Sequence, residues 1–123
     1  MSKIQGIAKR PGAAPYVTNI SNTLENLQRF VGGWIETVSF PEDGVVIVCD
    51  EEGRLKGKEY CCTVNGIDFV GDIFICGIDG DEFGDIPKKH KRQLLQILRE
   101  ADNSEGPQQS GADRNDQGDV IKA

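Results

Sequence analysis

A run of five apolar residues, Val45 to Cys49, constrains the fold of this chain most strongly. β-Branched residues dominate the run, and a strand without polar alternation is typical of the middle of a sheet that is covered on both faces. Turn-forming segments flank it at residues 41–44 and 50–53, each of which ends in glycine. The run therefore predicts a central strand that tight turns join to its neighbours.

The dipeptide Asn65-Gly66 is the clearest hairpin signal, since it favours the primed turn that joins two antiparallel strands. Counting outward from it, Val64 should pair with Ile67 and Cys62 with Phe69, with all four side chains on one face. Further strands are predicted at residues 16–20, 34–40 and 73–76, and a short edge strand around residues 4–7.

Two helices are predicted, one before and one after the strands of residues 34–76. In the first, Asn22 is the expected N-cap, Glu25 returns its hydrogen bond, and Gly32-Gly33 ends the helix. The second is expected to start near Pro87 and to fray near Glu100. The buried face of the first helix is predicted to carry Leu24, Leu27, Phe30 and Val31.

One helix, a run of antiparallel strands and a second helix predict an α+β fold. We expect a single, mostly antiparallel, curved sheet with both helices covering one face. Residues 1–100 are predicted to form this single domain. Residues 101–123 hold five acids, two bases and few apolar side chains. Such a segment buries too little surface to offset its ordering entropy, so it is predicted to be a disordered acidic tail.

The overall charge and the N-terminal sequence narrow the class of protein. The net charge is −6, which disfavours general nucleic-acid binding because that mode depends on net positive charge. No segment approaches the roughly 20 apolar residues of a membrane helix. The first residues also lack the apolar core of a secretory signal. A cytoplasmic protein without a membrane partner is therefore expected.

The four cysteines do not form a recognisable metal or catalytic motif. Free thiols are expected in a reducing cytosol. A structural zinc site usually shows paired ligands two to four residues apart, whereas Cys61 and Cys62 are adjacent and should point to opposite faces of a strand. The only histidine, His90, lies in a different element, which also argues against a cysteine nucleophile with a histidine base.

The acidic loop at residues 79–85 partly resembles a calcium-binding loop. Phe83 stands where the third oxygen ligand should be, and His90 stands where a glutamate is required. A solvated turn is therefore favoured over a calcium site. A small metal-dependent hydrolase that uses Asp79 and Asp81 is kept as a less favoured alternative.

The candidate ligand-binding residues are a basic cluster and the only tryptophan. Cations near a helix N-terminus oppose the helix dipole, so the cluster at residues 88–92 calls for an explanation. A solvated face is favoured; an acidic loop folded against the cluster or a bound anion such as a nucleotide are the alternatives. For Trp34, buried packing is favoured over an exposed binding role. The cluster consists of Lys88, Lys89, His90, Lys91 and Arg92.

Several segments carry a family resemblance over about residues 15–86. They include Pro15-Tyr16-Val17, residues 22–28, Val31-Gly32-Gly33-Trp34-Ile35-Glu36, residues 49–55 and residues 71–77. Together they resemble a family of small proteins encoded by bacteriophages, prophages and conjugative elements, catalogued as unknown-function domain 3846. The resemblance implies a mobile-element gene and the cytosol of a bacterial host. It implies no reaction and supplies no catalytic residue.

The sequence therefore predicts a non-enzymatic phage or mobile-element accessory protein. It would bind a host or element-encoded protein, or sequester a small anionic ligand such as a nucleotide. The lack of a nucleophile–base pair, metal cluster or cofactor motif supports this view, as do sheet edges that can pair with another chain. No cofactor and no metal are expected, and a homo-oligomer is compatible with the sequence. Nucleic-acid association through residues 88–92 is the main alternative.

Overall fold

The computed structural model describes residues 2–104. Helix α2 continues to Ser104, four residues beyond its expected end. Residues 101–104, the start of the predicted disordered tail, are therefore helical, and the rest of that predicted tail, residues 105–123, lies outside the described residues. The described elements are β1 (Lys3–Lys9), β2 (Tyr16–Ser21), α1 (Leu24–Val31), β3 (Ile35–Phe40), β4 (Val45–Asp50), β5 (Tyr60–Val64), β6 (Ile67–Val70), β7 (Ile73–Asp79), β8 (Glu82–Gly84) and α2 (Lys88–Ser104).

The main sheet is antiparallel throughout and has the strand order β2-β1-β7-β4-β3, with the short strand β8 paired to the end of β7. This arrangement confirms the α+β fold class. The expected edge position of β1 is wrong, because β1 lies between β2 and β7. Ile4, Ile7 and Ala8 are all buried there, and an apolar strand of this kind gains from neighbours on both sides.

Alternate residues of the central strands serve two different cores. On β4, Val45 and Ile47 face a core that includes Leu98 of α2 and the β5–β6 hairpin. Val46 and Val48 face the opposite core, which α1 covers with Leu27 and Val31. The expectation that both helices cover one face is therefore wrong. A strand that is apolar at every position must be covered on both sides, and here α2 covers one side and α1 covers the other.

The hairpin β5–β6 forms a separate two-stranded sheet. The predicted pairs Val64–Ile67 and Cys62–Phe69 are confirmed, and Asn65 and Gly66 both have positive φ, as a primed turn requires. A register shift between Tyr60 and Cys62 breaks the alternation. Cys61 and Cys62 are consequently both buried in the same core, which corrects the expectation that they face opposite ways.

Helix α1 begins one residue later than predicted. Thr23, not Asn22, is the N-cap, and its hydroxyl accepts a hydrogen bond from the backbone N–H of Asn26 at 3.1 Å. The Asn22 side chain instead donates to the carbonyl of Phe83. Leu24 is the first residue of the helix and is 57% exposed, contrary to the prediction that it is buried. No helix within residues 2–104 combines the length and apolar character of a membrane span.

Candidate binding surface

Trp34 is the largest exposed apolar side chain in the described part of the chain, with 65% of its surface accessible to solvent. Its predicted burial is therefore wrong. Trp34 lies in the turn between α1 and β3, outside the strand whose side chains join the core. Its carbonyl accepts a hydrogen bond from Glu51 N–H at 2.8 Å, which joins this turn to the end of β4. The exposed indole therefore projects from an anchored backbone.

Two lysines cap the C-terminal end of α1 just before Trp34. Lys58 Nζ donates to the carbonyl of Val31 at 2.7 Å, and Lys56 Nζ donates to that of Gly32 at 3.0 Å. The last carbonyls of a helix have no partners within the helix and carry partial negative charge. The two ammonium groups therefore satisfy the helix end and hold the glycine turn in place.

The same two ammonium groups meet on one buried carboxylate. Asp50 Oδ2 lies 2.8 Å from Lys56 Nζ and 2.7 Å from Lys58 Nζ, and the Asp50 side chain is only 1% exposed. Burial alone raises the pKa of Asp50. Hydrogen bonds from both lysines and from Glu52 N–H outweigh it and lower this pKa to about 2. Asp50 is therefore a permanent anion at neutral pH, and we call Asp50, Lys56 and Lys58 the lysine clamp.

The clamp explains the glycine at position 33. A Cβ atom built on Gly33 would lie 2.8 Å from Asp50 Oδ1 and 2.6 Å from Lys56 Nζ. The preceding residue, Gly32, has φ of 85°, where glycine is strongly preferred. The two glycines thus let the carboxylate and ammonium groups approach the backbone closely, directly beside Trp34.

A second exposed apolar residue belongs to the loop that the clamp anchors. Leu55 is 87% exposed and directly precedes Lys56 in the chain. Because Lys56 is bonded to both Gly32 and Asp50, the Leu55 loop and the Trp34 turn are tied to the same anchor. Trp34 and Leu55 are therefore two exposed apolar side chains presented next to residues of the clamp.

A cleft of about 160 Å³ lies between β3, β4 and the hairpin, and four of its ten lining residues are acidic. Arg54 is its one basic residue, and its guanidinium donates to the carbonyl of Asp68 at 2.7 Å. Cys49 also lines the cleft, where burial and the neighbouring carboxylates of Glu36 and Asp50 raise the pKa of its thiol to about 11. A thiol with this pKa is protonated at neutral pH and is a poor nucleophile.

The acidic loop does not assemble with other donors into a metal site. Asp79 and Asp81 are both exposed near the β7–β8 turn. Asp85 Oδ1 instead accepts the backbone N–H of Gln5 at 2.8 Å, which fixes the loop to β1. Within residues 2–104, no group of three or more histidine, cysteine or acidic side chains is arranged to hold a metal ion.

The predicted basic cluster is divided between the protein body and the solvent. Lys91 Nζ donates to Gln5 Oε1 at 3.0 Å, and His90 Nε2 lies 3.8 Å from Asp43 Oδ1. Lys88, Lys89 and Arg92 are exposed. The five residues therefore do not converge on one point.

A wide cleft of about 380 Å³ lies beside the free edge of β2. Lys3 of β1 and Arg29 of α1 supply its two charges, and no acidic residue lines it. Arg29 Nη1 donates to Asn26 Oδ1 at 3.1 Å, which holds the guanidinium beside the cleft. The remaining lining residues are Asn19, Ile20, Ser21, Asn26 and Phe30.

A comparison with protein-family models matched residues 4–99 to the model described as "Domain of unknown function (DUF3846)". The chain belongs to this family. The DUF3846 match begins in β1 and runs through most of α2, so it is longer than the resemblance over residues 15–86. Comparisons with curated proteins and with solved structures found no match.

Sequence reasoning missed two groupings in this DUF3846 domain. Asp50, Lys56 and Lys58 of the lysine clamp lie within nine residues of one another, but the carbonyls that Lys56 and Lys58 reach at the end of α1 are 24 and 27 positions away in the chain. Lys3 and Arg29 are 26 positions apart in the sequence, and they line one cleft because α1 covers the face of the sheet that carries Ile4 and Ile20. These contacts between distant segments have no local sequence pattern.

Proposed function

We propose that this DUF3846 protein is a non-enzymatic binding protein whose anchor for a partner protein is Trp34. The observation that carries the proposal is that the only tryptophan in the chain is two-thirds exposed on a fixed backbone. Tryptophan is enriched among the few residues that dominate the free energy of protein association. Covering the exposed indole removes its apolar surface from water, which favours association with a partner.

The lysine clamp supports the proposal because it limits the entropy cost of binding. The backbone around Trp34 is held by the Glu51 hydrogen bond and by Lys56 and Lys58 on a buried carboxylate. A residue presented on a rigid segment loses less freedom when a partner covers it. The clamp therefore favours tight binding at Trp34.

The biological setting is part of the proposal. The family resemblance supports an accessory protein of a phage or other mobile element, acting in the bacterial cytosol on a host or element-encoded protein. Sequestration of a small anion through residues 88–92 is less well supported, because His90 and Lys91 turn toward Asp43 and Gln5. Because His90 and Lys91 are turned away in this manner, fewer cations of the cluster remain to contact a nucleic-acid backbone.

The test compares wild-type protein with Trp34→Ala and, as a matched control, Leu24→Ala, which removes another exposed apolar side chain from a different element. A partner captured from bacterial cytosol is identified by mass spectrometry, purified and titrated against all three proteins. We expect Trp34→Ala to weaken binding by about 30-fold or more, corresponding to a loss of about 2 kcal/mol. Leu24→Ala should bind nearly as well as wild type.

The intrinsic fluorescence of Trp34 gives a second readout, since no other tryptophan contributes to it. Binding should shift its emission to shorter wavelength as the indole leaves water. Equal binding by wild type and Trp34→Ala would reject the proposed anchor. A nucleotide or metal ion retained by the untagged protein in native mass spectrometry would instead favour ligand sequestration.

A further inference from the structure

We propose that the free edge of β2 binds an extended acidic segment of a partner protein, which adds to the sheet as a strand and places carboxylates at Lys3 and Arg29. The inference rests on the proposed function in that it requires a protein partner, but it uses a surface separate from Trp34. The two surfaces lie at opposite edges of the sheet, since β2 and β3 are its terminal strands.

The first observation is that β2 is an unprotected edge. It pairs with β1 through six consecutive residues without a bulge, and among residues 2–104 no strand pairs with its other side. Its sequence, Tyr16-Val17-Thr18-Asn19-Ile20-Ser21, contains no charged residue and no proline. Sheet edges usually carry such features because free N–H and C=O groups otherwise recruit other chains. By contrast, the opposite edge strand, β3, carries the exposed carboxylate of Glu36.

The second observation is the position of the Lys3–Arg29 cleft. Pairing with β1 places Ile20 on the α1 face of the sheet, opposite Ile4, and places Asn19 and Ser21 on the other face. The cleft is lined by all three of these residues, which belong to the last half of β2 and come from both faces of the strand. A chain that pairs with β2 would therefore run along the cleft.

The third observation is the charge of the cleft. Its lining holds two cations and no carboxylate, although the whole chain has a net charge of −6. Complementary charge selects acidic partners and repels basic ones. A strand from a second copy of this protein fits less well, because residues 16–21 offer no acid to these cations. An acidic strand of a different protein can hydrogen-bond to the free backbone groups of β2 and can also place carboxylates near the two cations of the cleft.

The test uses fluorescence anisotropy with a labelled hexapeptide of alternating valine and glutamate, matched to the six residues of β2. Two control peptides are titrated in the same way. One has lysine in place of glutamate, and the other is the glutamate peptide with alternate backbone nitrogens N-methylated, so that they cannot donate hydrogen bonds. We expect the glutamate peptide to bind and the other two to bind more weakly. In the Lys3→Glu/Arg29→Glu variant, we expect its affinity to fall by at least about tenfold.

Lys88→Glu/Lys89→Glu is the matched control, since it changes the net charge equally at two exposed lysines of α2. An equal loss in this control would overturn the proposal, because attraction would then be non-specific. No binding of the glutamate peptide would also overturn it, as would undiminished binding of the N-methylated peptide. If the protein forms a concentration-dependent dimer and Lys3→Glu/Arg29→Glu abolishes it, the occupant of the β2 edge is a second copy of this chain. That result would overturn the proposal of an acidic partner.

The peptide titration also separates this inference from the proposed function. Trp34→Ala should leave peptide binding unchanged, because Trp34 does not line the cleft. Suppose that the glutamate peptide binds but Trp34→Ala does not weaken binding of the captured partner. That result would reject only the proposal that Trp34 is the anchor. Loss of partner binding in Trp34→Ala without any peptide binding would reject the strand-addition site alone.

Discussion

Replacing Asp50 with asparagine should remove the charge that organises the lysine clamp while preserving side-chain size. The pKa of Asp50 falls from its ordinary value of 3.8 to about 2 in the folded protein. Each pKa unit corresponds to about 1.4 kcal/mol, so the ionised carboxylate contributes about 2 kcal/mol to the free energy of unfolding at neutral pH. We therefore expect Asp50→Asn to destabilise the protein by about 2–3 kcal/mol.

The pH dependence provides the sharper measurement. Because folding lowers the pKa of Asp50, its contribution is complete above the ordinary pKa and disappears as the pH falls through about 4 to about 2. Asp50→Asn has no carboxylate to protonate at this position. The difference in unfolding free energy between wild type and variant should therefore shrink by about 2 kcal/mol between about pH 6 and about pH 2.

Urea denaturation followed by circular dichroism measures this difference at each pH. The control is Asp72→Asn, because Asp72 pairs with Arg10 at 3.7 Å and its side chain is 32% exposed. Such exposed pairs contribute at most about 1 kcal/mol. A difference for Asp50→Asn that does not change with pH, or that equals the control, would refute the assignment of Asp50 as a stabilising buried anion.

Three further outcomes are expected. Gly33→Ala should cost about 1–3 kcal/mol in urea denaturation because its Cβ would crowd Asp50, whereas Gly84→Ala, with open space around its Cβ, should change stability little. Phe74→Ala should cost about 3–5 kcal/mol because Phe74 is fully buried, whereas Leu55→Ala at an exposed site should stay within about 0.5 kcal/mol; thermal melts check both. All four cysteines are buried, so maleimide labelling followed by intact-mass measurement should modify them only after unfolding; rapid labelling of the native protein would contradict this.

Local sequence signals predicted most of the elements correctly. Asn65-Gly66 established both the hairpin and its register, because a primed turn leaves little choice in how two strands pair. The apolar run at Val45 correctly marked a central strand. The α1 start was misplaced by one residue, because Asn22 and Thr23 are both competent caps and a contact with Phe83 decides between them.

The misplaced elements depend on contacts between distant segments. β1 was expected to be a short edge strand, yet β7 returns to pair with Ile7 on its other side. The placement of the helices was wrong although the unbroken apolar pattern of β4 already required cover on both faces. Trp34 was expected to be buried because of its residue type alone. Residue type does not reveal that β3 begins only at Ile35, which leaves Trp34 in the preceding turn.

The separate hairpin sheet has a consequence for how the protein opens. Within residues 2–104, no backbone hydrogen bond joins β5 or β6 to a strand of the main sheet. Side-chain packing and a few side-chain hydrogen bonds attach the hairpin to the core. Amide protons of residues 60–70 can therefore exchange with solvent through a partial unfolding that leaves the six-stranded ladder intact. We therefore expect the hairpin to open before the main sheet, which would expose the core beneath α2.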